Sequence, residues 1–239
     1  MHDFVVIGAG YAGLSAGALL SKLGKKVLVL EQSNKPGGRS HYTERDGFIL
    51  QYGQHSHRLH KDGLAYQVFA ELNNPLDFLT VKGKAYIFQD GQVYERPEGL
   101  LGFLTTKALS FKSRLNFLKF YKKILSLDPK EWYDKTLLEC YNTWFDNPEV
   151  QRFISFLGFT IMLPDPAQVS AGEVIDFIQR AKKAKIKQGE PVGGAKQVLD
   201  KLVESLANNG GEIHLDEAAT KILVSNKKAT GVKTKKGEY

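Results

Sequence analysis

DFVVIGAGYAGLSAGALLSKLGKKVLVLE, running from Asp3 to Glu31, decides how the rest of the chain is read. Its opening, Asp3 to Ile7, is mostly apolar and β-branched, too short for a helix and suited to a strand buried on both faces. Gly8, Gly10 and Gly13 follow at GxGxxG spacing. From Gly13 to Leu23 the residues Leu14, Leu19, Leu20 and Leu23 are interleaved with small side chains, a helical pattern that Gly24 closes as a C-terminal cap. Lys26 to Leu30 repeats the buried-strand pattern and ends on Glu31. The order predicts one βαβ unit with a right-handed crossover. In such a unit the first glycine allows a tight turn, the second lets a pyrophosphate approach the backbone, and the third lets the helix pack closely on the strand. The anion then sits at the positive end of the helix. Glu31, at the end of the second strand, can accept both ribose hydroxyls of an adenosine and would repel a 2′-phosphate, which favours FAD or NAD over NADP.

The remaining composition is that of a soluble globular protein. The 239 residues include 42% hydrophobic and 25% charged side chains, enough for one or two domains. A single cysteine, Cys140, makes no internal disulfide or zinc knuckle and fits a reducing compartment. No apolar run reaches the roughly 20 residues of a membrane span, and Met1-His2-Asp3 leads into a strand without a signal peptide, so a cytoplasmic location is expected. With 33 Lys and Arg against 26 Asp and Glu the formal charge is +7, but no aromatic-and-basic stripe or motif supports nucleic-acid binding.

Beyond Glu31 the chain turns polar and glycine-rich to Gly53, and then Asp62 is expected to cap a helix with Leu64, Val68 and Leu72 on one stripe. Ala85 to Phe88 and Val93 to Glu95 flank Asp90-Gly91 as a hairpin. Helices are expected around 111–127, 134–145 and 148–162, with Pro164 and Pro166 interrupting the last. Ser170-Ala171-Gly172-Glu173 spells a capping box opening a helix to about Lys185, and Gly193-Gly194 precedes another to Asn208. Glu212 to Leu215 then reads as a strand, followed by a hairpin with arms Thr220 to Val224 and Thr230 to Thr234. The last residues, Lys235 to Tyr239, spell a turn toward a further strand. This order, α/β then helical then α/β, predicts a discontinuous Rossmann-like FAD/NAD(P)-binding domain, 1–84 and 188–239, with a mainly helical substrate domain, 85–187, inserted in it.

Pro36-Gly37-Gly38-Arg39-Ser40, within eight residues of Glu31, resembles the segment that FAD proteins of the amine oxidase, protoporphyrinogen oxidase and phytoene desaturase group place after the Rossmann turn. Gly47-Phe48 with Gly53-Gln54-His55 is similar to that group's segment running toward the flavin ring. Pro191-Val192-Gly193-Gly194 resembles its return into the FAD domain, and Gly211 to Ile222 its strand pair over the adenine, with Ala219 where the group usually has valine. The likeness covers roughly residues 3–57 and 190–235, and the phytoene-desaturase-like branch looks nearest. It implies FAD as cofactor, hydride transfer from a C–C or C–N bond of an apolar or amine small molecule, and a chain about twice this length ending in a Gly-Asp segment and helix that are absent here. The sequence therefore reads as an N-terminal half. The implied cofactor residues are Gly8, Gly10, Tyr11, Ala12, Gly13, Glu31, Gln32, Gly37, Gly38, Arg39, Ser40, Gly53, Gln54, His55 and Ala219. No catalytic residue can be named beyond His55 as a neighbour of the flavin.

Rival readings rest on particular residues. An NAD-dependent dehydrogenase would use the same turn and Glu31 but has no role for Gly37-Gly38-Arg39. Gly13-Leu14-Ser15-Ala16-Gly17 spells a hydrolase nucleophile elbow, yet Ser15 would lie inside the helix. His55, His57 and His60 suggest a metal, but Arg58 sits among them and no nearby carboxylate completes a ligand set before Asp62, so no metal is expected. Between Leu101 and Lys135 eight Lys or Arg stand against three Asp or Glu. That excess fits either a solvated face of a core helix or peripheral membrane contact through 111–127, and a non-catalytic isoprenoid or lipid binder at a membrane surface is the third reading.

Overall fold

A computed structural model describes residues 1–53, 62–80, 84–89, 91–97, 99–159, 165–184 and 189–239. The chain forms two compact units, Met1–Val81 with Lys187–Tyr239, and Lys82–Ile186. The first unit opens with β1 (Phe4–Ile7), α1 (Tyr11–Lys22), β2 (Val27–Leu30), β3 (Tyr42–Arg45), β4 (Phe48–Gln51), α2 (Leu64–Glu71) and β5 (Phe78–Thr80). The second holds β6 (Tyr86–Gln89), β7 (Gln92–Glu95), α3 (Gly99–Thr105), α4 (Phe111–Ile124), α5 (Leu137–Asn142), α6 (Pro148–Phe159) and α7 (Ala171–Ala184). The chain returns through β8 (Gly189–Pro191), α8 (Gly194–Asn208), β9 (Glu212–His214), β10 (Ala219–Ser225) and β11 (Lys228–Thr234). Because β5 and β8 pair antiparallel, Phe78 opposite Pro191, both belong to the first unit. The chain leaves that unit at Val81 and re-enters it at Lys187.

The first unit is built on β2. It pairs parallel to β1, with Phe4 opposite Val27 and Ile7 opposite Leu30, and on its other edge to β9, with Leu28 opposite Glu212. Strand side chains alternate between faces. Val27 and Val29 accordingly bury against Leu14 and Ala18 of α1 and Val198, Leu199, Leu202 and Leu206 of α8. Leu28 and Leu30 cluster with Val232 of β11, against which Ala219 and Tyr239 pack. Being covered on both faces is what permits four apolar residues in a row, each burial contributing about 1.5–3 kcal/mol. Gly17 lets α1 approach the sheet, since a Cβ there would come within 3.0 Å of Val29 Cγ2. Ser15 lies inside α1, not on a strained turn.

Besides β5–β8, one further pairing of this unit escapes the sequence reading. β3 and β4 form a hairpin, Arg45 opposite Phe48, whose turn residues Asp46 and Gly47 both take positive φ, 51° and 80°. α2 is also corrected. Its N-cap is Gly63 with no capping side chain, so Asp62 stays outside the helix. Leu64, expected on the buried stripe, is 67% exposed, whereas Leu72 is buried as expected, Val68 packs against the same core, and Phe69 is buried beside them.

In the second unit, Phe117, Phe120 and Ile124 of α4 meet Cys140 and Tyr141 of α5, Ile154 of α6 and Val174 and Ile175 of α7 in one core. The hairpin β6–β7 has Gln89 opposite Gln92, a two-residue turn containing Gly91 at φ 77°. α4 and α7 end at Ile124 and Ala184, and α5 is shorter than expected. Near 170 the hydroxyl half of the expected box is present: Ser170 Oγ accepts from Glu173 N at 3.4 Å and donates to the Tyr133 carbonyl at 2.8 Å. A full box caps α5, where Thr136 Oγ1 accepts from Glu139 N (3.1 Å) and Glu139 Oε2 accepts from Thr136 N (2.7 Å). Thr136→Ala is expected to lower stability by about 1 kcal/mol, read as a lower urea midpoint at unchanged slope; an unaltered midpoint would mean that this box contributes nothing. Among the described residues no helix is long and apolar enough to cross a membrane.

Candidate functional site

The turn between β1 and α1 is fixed by backbone chemistry. Gly8 donates to the Leu30 carbonyl (2.7 Å) at φ 98°, a left-handed value that favours glycine. Gly10 is the N-cap of α1 in extended conformation, without a side chain to bond the first N–H groups. Those donors, on Tyr11, Ala12 and Gly13, are the orphan groups that a helix N-terminus offers to an anion. A Cβ on Gly13 would stand 2.0 Å from the Gly8 carbonyl oxygen, whereas one on Gly10 would meet only the Gly37 oxygen at 3.9 Å. The third glycine is thus demanded by the protein itself, and the second leaves open space in front of the helix. Tyr11 begins the helix, and burial pushes its phenol up to about 12.

Glu31 lies beneath this turn. Its Oε2 accepts from Ala9 N at 2.8 Å and its Oε1 from Ser33 N at 2.9 Å. Burial pushes the carboxyl up, but the Ala9 and Ser33 N–H groups, with further bonds from Ser33 and Gln32, outweigh it and hold the group below the ordinary carboxylate value. An ionised carboxylate is acceptor-only, which is the chemistry a ribose hydroxyl requires. Because the folded group is the stronger acid, its contribution to stability is complete above the ordinary carboxylate range and is lost as pH falls through the depressed folded value. Glu31→Gln is expected to remove this part of the acid sensitivity and to weaken dinucleotide binding by about 1.5–3 kcal/mol, the cost of a lost bond to a charged group. Equal affinity by titration, with the same acid unfolding profile, would take Glu31 out of the site.

The segment 37–40 is folded onto the turn. Gly37 N donates to the Ala9 carbonyl at 2.8 Å, Gly10 and Gly37 form a parallel bridge, and a Cβ on Gly38 would lie 3.5 Å from Gly10 Cα. Gly37 and Gly38 take φ of 129° and 52°. Gly38, Arg39 and Ser40 form one 3-10 turn, in which Arg39 is exposed with no ion pair among the described residues. Gly53 closes over it, since a Cβ there would fall 2.0 Å from the Arg39 carbonyl oxygen. Gln32 is exposed beside Glu31. Ala219 heads β10 on the opposite face of the sheet from α1. Gln54 and His55, with His57 and His60, lie outside the described residues.

Two contributors escaped the sequence reading. Gln51 Oε1 accepts from Ala195 N at 2.9 Å and so caps α8, which has Gly193 at its N-cap. Glu217, side chain 3% exposed, ties the far end of the site together. Its N–H donates to the Glu31 carbonyl (2.8 Å), and its Oε1 accepts from Tyr239 Oη (2.7 Å) and Thr234 Oγ1 (2.8 Å). The Tyr239 bond, ahead of Thr234, Lys236 and His214, holds this carboxyl low against burial. A carboxylate spaced by one turn from a strand end is the one local signal, and it does not single out Glu217.

Two glycine loops leaving an open space before a helix N-terminus, with a buried carboxylate underneath, fit a dinucleotide's pyrophosphate and ribose. The profile of the family described as flavin containing amine oxidoreductase matches residues 11–239. The chain is 26% identical to the 1-hydroxycarotenoid 3,4-desaturase of Flavobacterium sp., over 100% of this chain and 55% of that protein. It is 27% identical to the chloroplastic prolycopene isomerase of Daucus carota, over 99% of this chain and 44% of that protein. A crystal structure of an oxidoreductase from Methanosarcina mazei matches 98% of this chain and 56% of its own at 25% identity, with a TM-score of 0.78. The chain thus spans about half the length of these relatives.

Proposed function

Since the chain belongs to the flavin containing amine oxidoreductase family, we propose that it is the FAD-holding portion of an oxidoreductase that takes a hydride from a C–C or C–N bond of an apolar small molecule. The names of the carotenoid desaturase and the prolycopene isomerase favour an isoprenoid-like substrate over an amine. The observation that carries the reading is the seating of Gly37 and Gly38 on Gly10, which brings a second glycine loop and Arg39 to the Rossmann turn. A simple NAD fold has no use for that loop.

In this reading the flavin supplies the hydride acceptor, and the chain supplies position. The N–H groups of Tyr11, Ala12 and Gly13 bind the pyrophosphate, helped by the Arg39 guanidinium, whose fork suits phosphate oxygens. Glu31 binds the adenosine ribose, with Gln32 beside it, and the backbone at Ala219 approaches the adenine. Ser40 and Gly53 hold the 37–40 loop in place, and Gln54 and His55 are counted among the cofactor residues on the resemblance of their segment alone. The unit Lys82–Ile186 shapes the substrate's surroundings.

The test is to incubate the purified chain with excess FAD, and a parallel sample with NAD, then desalt and record the visible spectrum. Flavin bands at roughly 375 and 450 nm are expected to persist with FAD. A colourless protein that retains NAD would favour the dehydrogenase, and retention of neither would remove cofactor capture from this portion of the protein.

A further inference from the structure

We propose that Glu217 is a positioning residue for the adenosine half of the dinucleotide, setting the main chain at Glu31 through its own bonds to Tyr239 and Thr234. The inference rests on the cofactor reading above and adds to that site a residue that acts through others. Glu31 is clasped by its backbone as well as by its side chain. Its N–H donates to the His214 carbonyl (2.9 Å) and its carbonyl accepts from Glu217 N (2.8 Å), while Asp216 N donates to the Ser33 carbonyl (3.0 Å). Ser33 N in turn donates to Glu31 Oε1 at 2.9 Å. The turn 214–217 therefore fixes both the end of β2 and one of the bonds that aim the carboxylate. This turn needs support, because Asp216 takes φ 52°, a left-handed value that persists in a residue with a side chain only where the surroundings hold it.

The Glu217 side chain supplies the hold. Its Oε1 accepts from Tyr239 Oη (2.7 Å) and Thr234 Oγ1 (2.8 Å), and its Oε2 lies 3.3 Å from His214 Nδ1 and 3.9 Å from Lys236 Nζ. Thr234 Oγ1 itself accepts from Lys236 N (3.0 Å) and Gly237 N (3.1 Å), and the rings of His214 and Tyr239 meet edge to face at 5.5 Å. One buried side chain thus joins the turn to the end of β11 and to the residues after it. A buried carboxylate is costly where an apolar residue would fill the same space. Directional bonds from two hydroxyls give it a use, since they set where its own N–H meets the Glu31 carbonyl. Two residues further on, Ala219 opens β10 on the face of the sheet away from α1. Glu217 accordingly bears on the adenosine end of the site and not on the N–H groups of Tyr11, Ala12 and Gly13.

The test is calorimetric titration of the whole chain with ADP and with 2′-deoxy-ADP, beside a fluorescence titration with FAD, for wild type, Glu217→Ala, Glu217→Gln and Tyr239→Phe. Wild type is expected to prefer ADP by about tenfold or more, the effect of one lost bond to a charged acceptor. In Glu217→Ala the preference is expected to fall to about threefold or less, because Glu31 is no longer held in register with the ribose. Tyr239→Phe, which keeps the ring and removes one hydroxyl, is expected to lower it in the same direction. Glu217→Gln, which keeps an acceptor for both hydroxyls, is expected to stay within about twofold of wild type. Urea unfolding on the same samples identifies a variant that fails to fold; should Glu217→Ala do so, Tyr239→Phe decides. A preference unchanged in the folded Ala and Phe variants, or a Gln variant as indifferent as Ala, would overturn the proposal and leave the cofactor reading standing. A wild type that binds FAD but takes ADP no better than its 2′-deoxy form would remove Glu31 from the ribose, and this proposal with it. Binding of neither FAD nor ADP by the wild type would remove the cofactor reading itself.

Discussion

Gly13→Val is expected to cost the first unit its fold. Even the Cβ alone would sit 2.0 Å from the Gly8 carbonyl oxygen and 3.3 Å from Val6 Cγ1. The oxygen has little room to retreat, since the Gly8 N–H is bonded to Leu30 at 2.7 Å and its φ of 98° leaves few alternatives. Helix α1 would have to lift from β1, opening the cluster of Leu14, Ala18, Val27 and Val29 against α8. Overpacking in cores usually costs about 1–3 kcal/mol, and a backbone collision that separates a helix from its sheet exceeds that. Against a total stability of about 5–15 kcal/mol the loss is decisive. Soluble yield and the urea midpoint of Gly13→Ala, the milder change, are the measurements; an unchanged midpoint would contradict the packing described.

Gly10→Val is expected to do the opposite, leaving the fold and removing the ligand. Gly10 has φ −77° and ψ 179°, an extended conformation open to any residue, and its Cβ would meet nothing closer than 3.9 Å. The cost to the free protein is the weaker cap preference of valine, about 1 kcal/mol. The isopropyl group would, however, stand in the space before the first N–H groups of α1, where a pyrophosphate approaches the backbone most closely. A loss of FAD affinity of about a hundredfold or more, near 2.7 kcal/mol, is expected. Gly8 to Gly13 thus contains two glycines called for by folding, Gly8 by its φ and Gly13 by its packing, and one, Gly10, called for by binding.

Legibility followed the range of the interactions. β2 could be read because Val27 to Leu30 is apolar without alternation, the signature of a strand covered on both faces, and the glycine turn and Glu31 sit within the same local unit. The hairpin β10–β11 is legible from its two β-prone arms, Thr220 to Val224 and Thr230 to Thr234. β3–β4 was not, although Asp46-Gly47 is a turn signal, because Thr43, Glu44 and Arg45 are polar and concealed the strand. β5 and β8 are three residues each and exist through pairing with a partner far along the chain. The capping of α8 by Gln51, the seating of Gly37 on Gly10 and the bonds of Glu217 are likewise long-range. Sequence could name Gly37 as a loop glycine, but only tertiary contact puts it against the turn.

The most direct measurement is an equilibrium titration of FAD into wild type and Gly10→Val side by side, following flavin fluorescence, with circular dichroism and urea unfolding on the same samples. Quenching that saturates for the wild type and is weakened about a hundredfold or more in a variant of near wild-type stability is the result expected if the open space before α1 holds the pyrophosphate. Equal affinity in the two folded proteins would contradict it, and would place any flavin site away from the Gly8–Gly13 turn.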